Sequence, residues 1–443
     1  MTDELHALEL VARLAALQPS SAFQAIALTP HLDPRRLLTD VAANGVVASY
    51  ERPDRGLALV GVGTAARIDV PAGQGPAAIR DEVRRLLDLR VEGDAPGLRP
   101  RLLGGFRFNP VAPVSEPWDD FGPGWLTLPQ ILFVLDGEAA GVVLAPGSDP
   151  AEAAALVERL VGDPAPAQRT ALTVERPMNR SRWLESVATI SEQVREGAYE
   201  KAVLASTQRL AGAGAISVGA ALARLRVNYP QCHLFTMTSG ASTFLGASPE
   251  LLVSLTGGAV HALGLAGSLR RGETPEEDER LGTALLASAK DRIEHETVVR
   301  AIRERLAPAT QDLHAPNAPG LRKLRNIQHL STDITGHVKP GVDVLDLVER
   351  LHPTPAVCGW PTDVAREVIA AHEGFDRGWY AGPVGWIDAT GDGEFAVGLR
   401  SAVVRDDRAW LFAGNGIMGD SDPESELAEV QLKFRPLAEA LGA

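Results

Sequence analysis

Two pairs of acidic residues share one spacing in separate stretches of the chain. In Lys290-Asp291-Arg292-Ile293-Glu294-His295, Asp291 and Glu294 stand three apart, as do Glu426 and Glu429 in Glu424-Ser425-Glu426-Leu427-Ala428-Glu429. On a helix this spacing puts two carboxylates on one face, at a cost of about 0.2–0.5 kcal/mol per like-charge pair. A hard divalent cation held between two such helices would offset the repulsion. Oxygen-only ligation with positions left for water and substrate suits Mg2+. The second pair has a structural reading as well. Asp422 can cap a helix, Pro423 fits its first position, and acids there complement the positive end of the helix dipole.

Other residues are placed where acid–base chemistry or anion binding is feasible. Glu250 follows Ser248-Pro249 after a short apolar run. Proline ends a strand, so this carboxyl falls at a sheet rim, either as a turn residue or as a buried general acid. Lys201 opens the apolar run Ala202-Val203-Leu204-Ala205. It is either an exposed strand end or an amine whose charge is destabilised enough to make it a base. Ala266-Gly267-Ser268 and Gly414-Asn415-Gly416 read as glycine-bearing turns whose amides can hold a carboxylate. Arg400 offers a donor fork for a carboxylate. His329 and Lys433 carry no pattern of their own.

The elements that must position these groups read as α+β. Strand-like runs fall at 46–49, 57–62, 130–135 and 140–144, then at 202–206, 233–238, 243–246 and 251–255. A last group falls at 382–387, 394–399, 402–405 and 410–413. Turn residues at Thr390-Gly391-Asp392-Gly393 and Arg405-Asp406-Asp407 punctuate that group as hairpins, which implies antiparallel sheets with helices outside. Helices are expected at 1–18, 34–43, 77–89, 181–196, 275–305 and 423–441. The polar, proline-bearing segment 162–168 is the best candidate linker. It divides an N-terminal α+β portion, 1–165, from a catalytic portion, 166–443. Gly61-Val62-Gly63 lacks the third glycine and the lysine of a nucleotide loop.

Composition removes whole classes of function. The formal net charge is −14, and no basic stripe offsets it, so a nucleic-acid partner is not expected. A small anionic substrate is still allowed, because a bound cation reverses the local field. Two cysteines, Cys232 and Cys358, are too few for a disulfide framework or a cysteine-rich metal site. No apolar run reaches membrane-spanning length. The N-terminus lacks the basic region and apolar core of a signal peptide. A cytoplasmic protein with no membrane partner is the expectation.

Taken in order, these stretches resemble the chorismate-utilising enzymes, the family of isochorismate, salicylate, anthranilate and aminodeoxychorismate synthases. The likeness runs over roughly residues 100–440. It is carried by Glu200-Lys201-Ala202-Val203-Leu204, Gly246-Ala247-Ser248-Pro249-Glu250, Leu265-Ala266-Gly267-Ser268 and Lys290 to His295. It continues through Gln328-His329-Leu330, His352-Pro353-Thr354-Pro355-Ala356-Val357-Cys358-Gly359, Phe375-Asp376-Arg377 and Gly414-Asn415-Gly416-Ile417, and ends with Ser421-Asp422-Pro423-Glu424 and the helix to Lys433. The resemblance implies large, mainly antiparallel sheets layered with outer helices, in two intimately joined halves around a central cleft.

It also implies roles. Glu294 and Glu429 match direct Mg2+ ligands, and Asp291 and Glu426 match acids that support the ion. Tyr380, Arg400, Gly414, Gly416 and Lys433 match positions around the carboxylates of chorismate. Ser268, His329 and Ala356 match positions lining the substrate. Lys201 matches a base that activates water for attack at ring C2, and Glu250 an acid that protonates the departing C4 hydroxyl. Chorismate would thereby become isochorismate. Ala266 stands where aminodeoxychorismate synthases carry a nucleophilic lysine, and anthranilate synthases typically lack the equivalent of Lys201, so amination is not expected. No amidotransferase subunit is implied, and a monomer is the default. Salicylate synthase, which adds pyruvate elimination, is the alternative: Ala356 and Phe412 point away from it, while Tyr380 and Leu399 point towards it. A silent relative acting as a binding protein is a further alternative. Ser206 departs from the family, which usually has arginine there, and that substitution puts the behaviour of Lys201 in question.

Overall fold

Hairpin turns build the sheet that carries the candidate residues. The two-residue turn Asp406-Asp407 closes Ser401–Arg405 onto Arg408–Ile417, with Arg405 opposite Arg408 and Asp406 at φ 53°. A positive φ is what a tight hairpin demands, and Asp tolerates it better than most residues. Gly391, at φ 83°, turns Pro383–Asp388 into Gly393–Val397. The computed structural model describes residues 2–28, 32–95, 97–137, 139–161 and 170–443. The expected linker at 162–168 lies outside them.

From these hairpins the pairing spreads in two directions. Arg408–Ile417 pairs along its length with Lys201–Gly212. Ser401–Arg405 pairs with Ser242–Ser248, which pairs with His233–Ser239. Val46–Arg52 adds to His233–Ser239 and leads on through Leu57–Asp69 to Gly124–Asp136. In the other direction, Gly393–Val397 pairs with Leu251–Thr256, then Ala259–Arg270, then Ile327–Val338. Pro383–Asp388 pairs with Arg101–Phe106. Strands from before and after residue 165 therefore share hydrogen-bonded ladders. Among the described residues, Phe23–Ala27 with Val91–Gly93 is the one parallel pair. The α+β, mainly antiparallel architecture is as expected.

Several elements differ from expectation. The helix expected at 275–305 is two helices, Pro275–Ala287 and Ala289–Leu306. Ser288 sits between them in an extended conformation, and its hydroxyl accepts from the Asp291 amide. A serine that caps a new helix competes with continuation of the old one. Asp291 and Glu294 consequently lie in the opening turns of the second helix. The segment read as 34–43 is a 3-10 helix, Pro34–Asp40, and 77–89 is a 3-10 turn, Pro76–Ile79, leading into an α-helix, Arg80–Leu87. The closing helix, Pro423–Leu441, has Asp422 as its N-cap and Gly442 in the left-handed conformation at its end.

The two glycine segments read as turns are strand interiors. Ala266-Gly267-Ser268 belongs to Ala259–Arg270, where the register against Ile327–Val338 slips by one residue and Gly267 takes φ 74°. That is a bulge, which bends a strand and re-aims its side chains. Gly414-Asn415-Gly416 belongs to Arg408–Ile417. Beneath them lies an aromatic core. Trp118 packs on Phe244 and Phe412, and Phe412 stacks on Tyr380 with ring centroids 5.3 Å apart. Burying each such ring is worth about 1.5–3 kcal/mol.

Candidate active site

A cavity of about 220 Å3 lies where the bulged strand, the Lys201 strand, the helix Ala289–Leu306 and the closing helix meet. Glu250, Ser268, His329, Ala356, Tyr380, Arg400, Gly414, Gly416 and Lys433 line it. So do all four acids, Asp291, Glu294, Glu426 and Glu429. Lys201 is the exception. Its side chain is 1% exposed and lies just behind the wall, with Nζ 2.6 Å from Glu294 Oε1. A Cβ on Gly416 would come within 2.4 Å of Glu294 Oε1 and 2.6 Å of Lys201 Cε. Glycine at 416 is thus what lets this ion pair form.

Alternation along the Lys201 strand explains how the lysine is presented. Val203 lines the cavity, whereas Ala202 and Leu204 pack into the core under the closing helix. Side chains alternate faces on a strand, so Lys201 shares the Val203 face and Ser206 lies on the opposite one. An arginine at 206 would begin on the face away from Lys201, so Ser206 removes no neighbour from the cavity side of this strand.

The carboxylates are matched to lysines. Glu294 pairs with Lys201, Glu429 with Lys433 at 2.7 Å, and Glu426 with Lys290 at 3.5 Å. Ser421 and Asn415 also donate to Glu426, at 2.8 and 3.0 Å, and the Ser288 hydroxyl donates to Asp291. Burial raises the Glu426 carboxyl, and repulsion from Glu429 adds to it. Burial likewise raises Asp291. For Glu294 burial pushes upward, but the charge and hydrogen bond of Lys201 prevail and hold it below the ordinary carboxylate range.

Among the described residues, no three of His, Cys, Asp and Glu converge tightly enough to hold an ion as they stand. Each acid is turned onto a lysine or a hydroxyl instead. The donor chemistry still fits a hard cation, because four carboxylates share one wall and carboxylate oxygen is the ligand type such ions take. A cation there would have to displace the lysines from Glu294 and Glu429.

Glu250 is 4% exposed, and burial pushes its carboxyl up to about 8, against the opposing pull of Lys201 and Lys433. Burial of this kind favours the protonated, neutral form of a carboxyl. His329 accepts from or donates to Ser268 Oγ through Nδ1, 2.9 Å away. Its Nε2 has no protein partner among the described residues, and burial keeps the ring neutral. One ring nitrogen can therefore exchange a hydrogen bond with a ligand. Arg400 sits at φ 48° between two strands, buried to 9% exposure, with no acid within ion-pair reach among the described residues. A non-glycine residue at positive φ outside a tight turn carries backbone strain that the surrounding structure must hold in place.

The backbone adds two more groups. Val203 N donates to Cys358 O, and Ala205 N donates to Glu373, both away from Arg408–Ile417. Their cross-strand partners, Gly416 and Gly414, therefore form the non-hydrogen-bonded pairs of the ladder. The polar groups of both glycines face outward, and Lys433 Nζ takes up Gly414 O at 3.0 Å. Two charged residues without a sequence-assigned role also line the cavity, Lys290 and Arg377. The i,i+4 relation of Lys290 to Glu294 is visible in sequence. Its reach to Glu426 on another helix is not.

A buried carboxyl, a lysine–carboxylate pair at the wall, and a guanidinium with no acid in ion-pair reach among the described residues thus meet at one cavity. Residues 9–442 match the family described as chorismate binding enzyme. The chain is 40% identical over 411 residues to the salicylate biosynthesis isochorismate synthase of Pseudomonas aeruginosa, covering 89% of this chain and 84% of that one. It is 36% identical over 352 residues to isochorismate synthase MenF of Bacillus subtilis, covering 77% and 75%. The structure of the menaquinone-specific isochorismate synthase MenF from Escherichia coli superposes with a TM-score of 0.80 at 26% identity, covering all of both chains. The chain belongs to the chorismate binding enzyme family.

Proposed function

We propose that this protein is a Mg2+-dependent isochorismate synthase, converting chorismate to isochorismate by adding water at C2 and releasing the C4 hydroxyl. The observation that carries the reading is the buried Glu250 carboxyl lining the same cavity as Glu294, which Lys201 pairs with from behind the wall. In the proposed reaction, Glu250 gives its proton to the departing C4 oxygen, which leaves as water. Lys201, whose ammonium pairs with Glu294 here, would first give up its proton and then take one from the water that attacks C2. The ring double bonds shift between these events, and the two protons balance. Arg400, the outward amides of Gly414 and Gly416, and Lys433 are placed to bind carboxylates, and Ser268 and His329 to orient the ring.

Glu294 and Glu429 would hold Mg2+, with Asp291 and Glu426 in support, and the ion would supply positive charge against the ring carboxylate. Relatives named as isochorismate synthases support the reaction assignment. Incubation of the protein with chorismate and Mg2+, followed by chromatography of the products, tests it. The expected result is isochorismate without pyruvate. Tyr380 and Leu399 in the cavity favour a second reading, salicylate synthase, for which the same chromatogram would show salicylate and pyruvate in equal amounts. Inactivity with Mg2+ and no heat of chorismate binding would leave only a silent relative.

A further inference from the structure

The strand Lys201–Gly212 has one fully paired edge and one broken edge. On the broken side, Gly359–Trp360 covers only Lys201 and Ala202, Val203 N reaches Cys358 O, and Leu172–Arg176 resumes the ladder at Arg209. Between these two stretches the backbone is met by side chains. Arg377 Nη2 donates to Val203 O at 2.8 Å, and the Ala205 amide donates to Glu373 Oε1 at 2.7 Å. Arg377 Nη1 donates to Val357 O at 2.8 Å, and its Nε donates to Glu373 Oε2 at 2.8 Å. Both side chains are almost fully buried.

We propose that Glu373 and Arg377 are positioning residues for the reaction: the ion pair stands in for a missing strand and fixes the Lys201 strand against two other walls of the cavity. One wall is the segment holding Ala356 and Val357, tied through Val357 O. The other is Tyr380, whose amide donates to Arg377 O at 2.9 Å, while the guanidinium also lies 4.3 Å over the Phe108 ring. A guanidinium is the one side chain with enough rigidly oriented donors to bind two carbonyls and a carboxylate together. Neither residue needs to touch substrate. The pair sets where the Lys201 amine lies relative to Glu250 and Tyr380, and proton transfer is sensitive to displacements of this size.

The inference rests on the proposed reaction, so its test separates the two. Arg377→Lys keeps the charge and removes the fork. Arg226→Lys is the control, because Arg226, itself partly exposed, makes a two-bond pair with the buried Glu51, at 2.7 and 2.9 Å, in a place remote from the cavity. Chorismate turnover and thermal midpoint are measured for both. Arg377→Lys should lower kcat by about 10–100-fold with chorismate KM within about twofold of wild type, while Arg226→Lys loses comparable midpoint and retains kcat. Unchanged kcat in Arg377→Lys, or an equal loss in both variants, overturns the proposal. A wild-type protein that does not convert chorismate overturns the reaction instead. In that event hydrogen exchange at the Ala205 amide decides: faster exchange in Arg377→Lys supports the clamp, and unchanged exchange overturns it.

Discussion

At the scale of single residues, proton position is the quantity that matters. Glu250 has its carboxyl raised by burial from 4.5 to about 8, so turnover that needs its proton should fall as pH rises through about 8. The same shift has a stability consequence. Between 4.5 and 8 the folded state holds a proton on Glu250 that the unfolded state has released, so the contribution of Glu250 to stability declines with rising pH across that window. Glu250→Gln should make stability fall less steeply across this window in denaturant titrations while reducing turnover by about 10²–10⁴-fold; a slope identical to wild type would show that Glu250 contributes nothing to it. Lys201→Ala should reduce turnover over the same range, about 10²–10⁴-fold, and full activity in either variant would sink the acid–base assignment. Glu294→Gln should raise the Mg2+ concentration needed for half-maximal activity, measured by metal titration of chelated protein. The acids, Lys201 and Glu250 could be singled out in sequence because their types and spacing are unusual for helix faces and strand ends. The pairing of Lys290 with Glu426 and of Lys201 with Glu294 could not, because each joins side chains from elements far apart in the chain, whereas Glu429 and Lys433 stand four apart on one helix.

At the scale of elements, strand periodicity and turn residues were enough to read the hairpins around Gly391 and Asp406, and capping residues to read the closing helix. Periodicity ran through Ser288 and missed the helix break there, since a serine is unremarkable until its hydroxyl is seen capping Asp291. Two long strands, Ala259–Arg270 and Ile327–Val338, escaped notice because the bulge at Gly267 and the polar residues of the second interrupt simple alternation. The glycines in these strands are read correctly only with contacts in hand. Gly416→Ala would drive a methyl group onto Glu294 and Lys201. We expect it to abolish turnover and lower the thermal midpoint, whereas alanine at Gly214, which has open space around it, should leave turnover unchanged.

At the scale of the whole molecule, the ladders joining Val46–Arg52 to His233–Ser239 and Arg101–Phe106 to Pro383–Asp388 bind early and late parts of the chain into shared sheets. Residues 166–443 expressed alone should therefore be insoluble or lack the intact protein's cooperative transition, as seen by circular dichroism during heating; a soluble, cooperatively folding fragment would contradict this. No helix among the described residues is long and apolar enough to cross a membrane. The same interleaving bears on how the chain comes to be made. During synthesis Val46–Arg52 leaves the ribosome long before His233–Ser239, the partner on one of its edges, exists, and one edge of Arg101–Phe106 waits longer still for Pro383–Asp388. Contacts so distant in sequence are slow to form because chain entropy must be surrendered first. Newly made chains thus spend their whole translation time with sticky strand edges uncovered, and their yield in a cell should depend on elongation speed and on helpers that shield such edges.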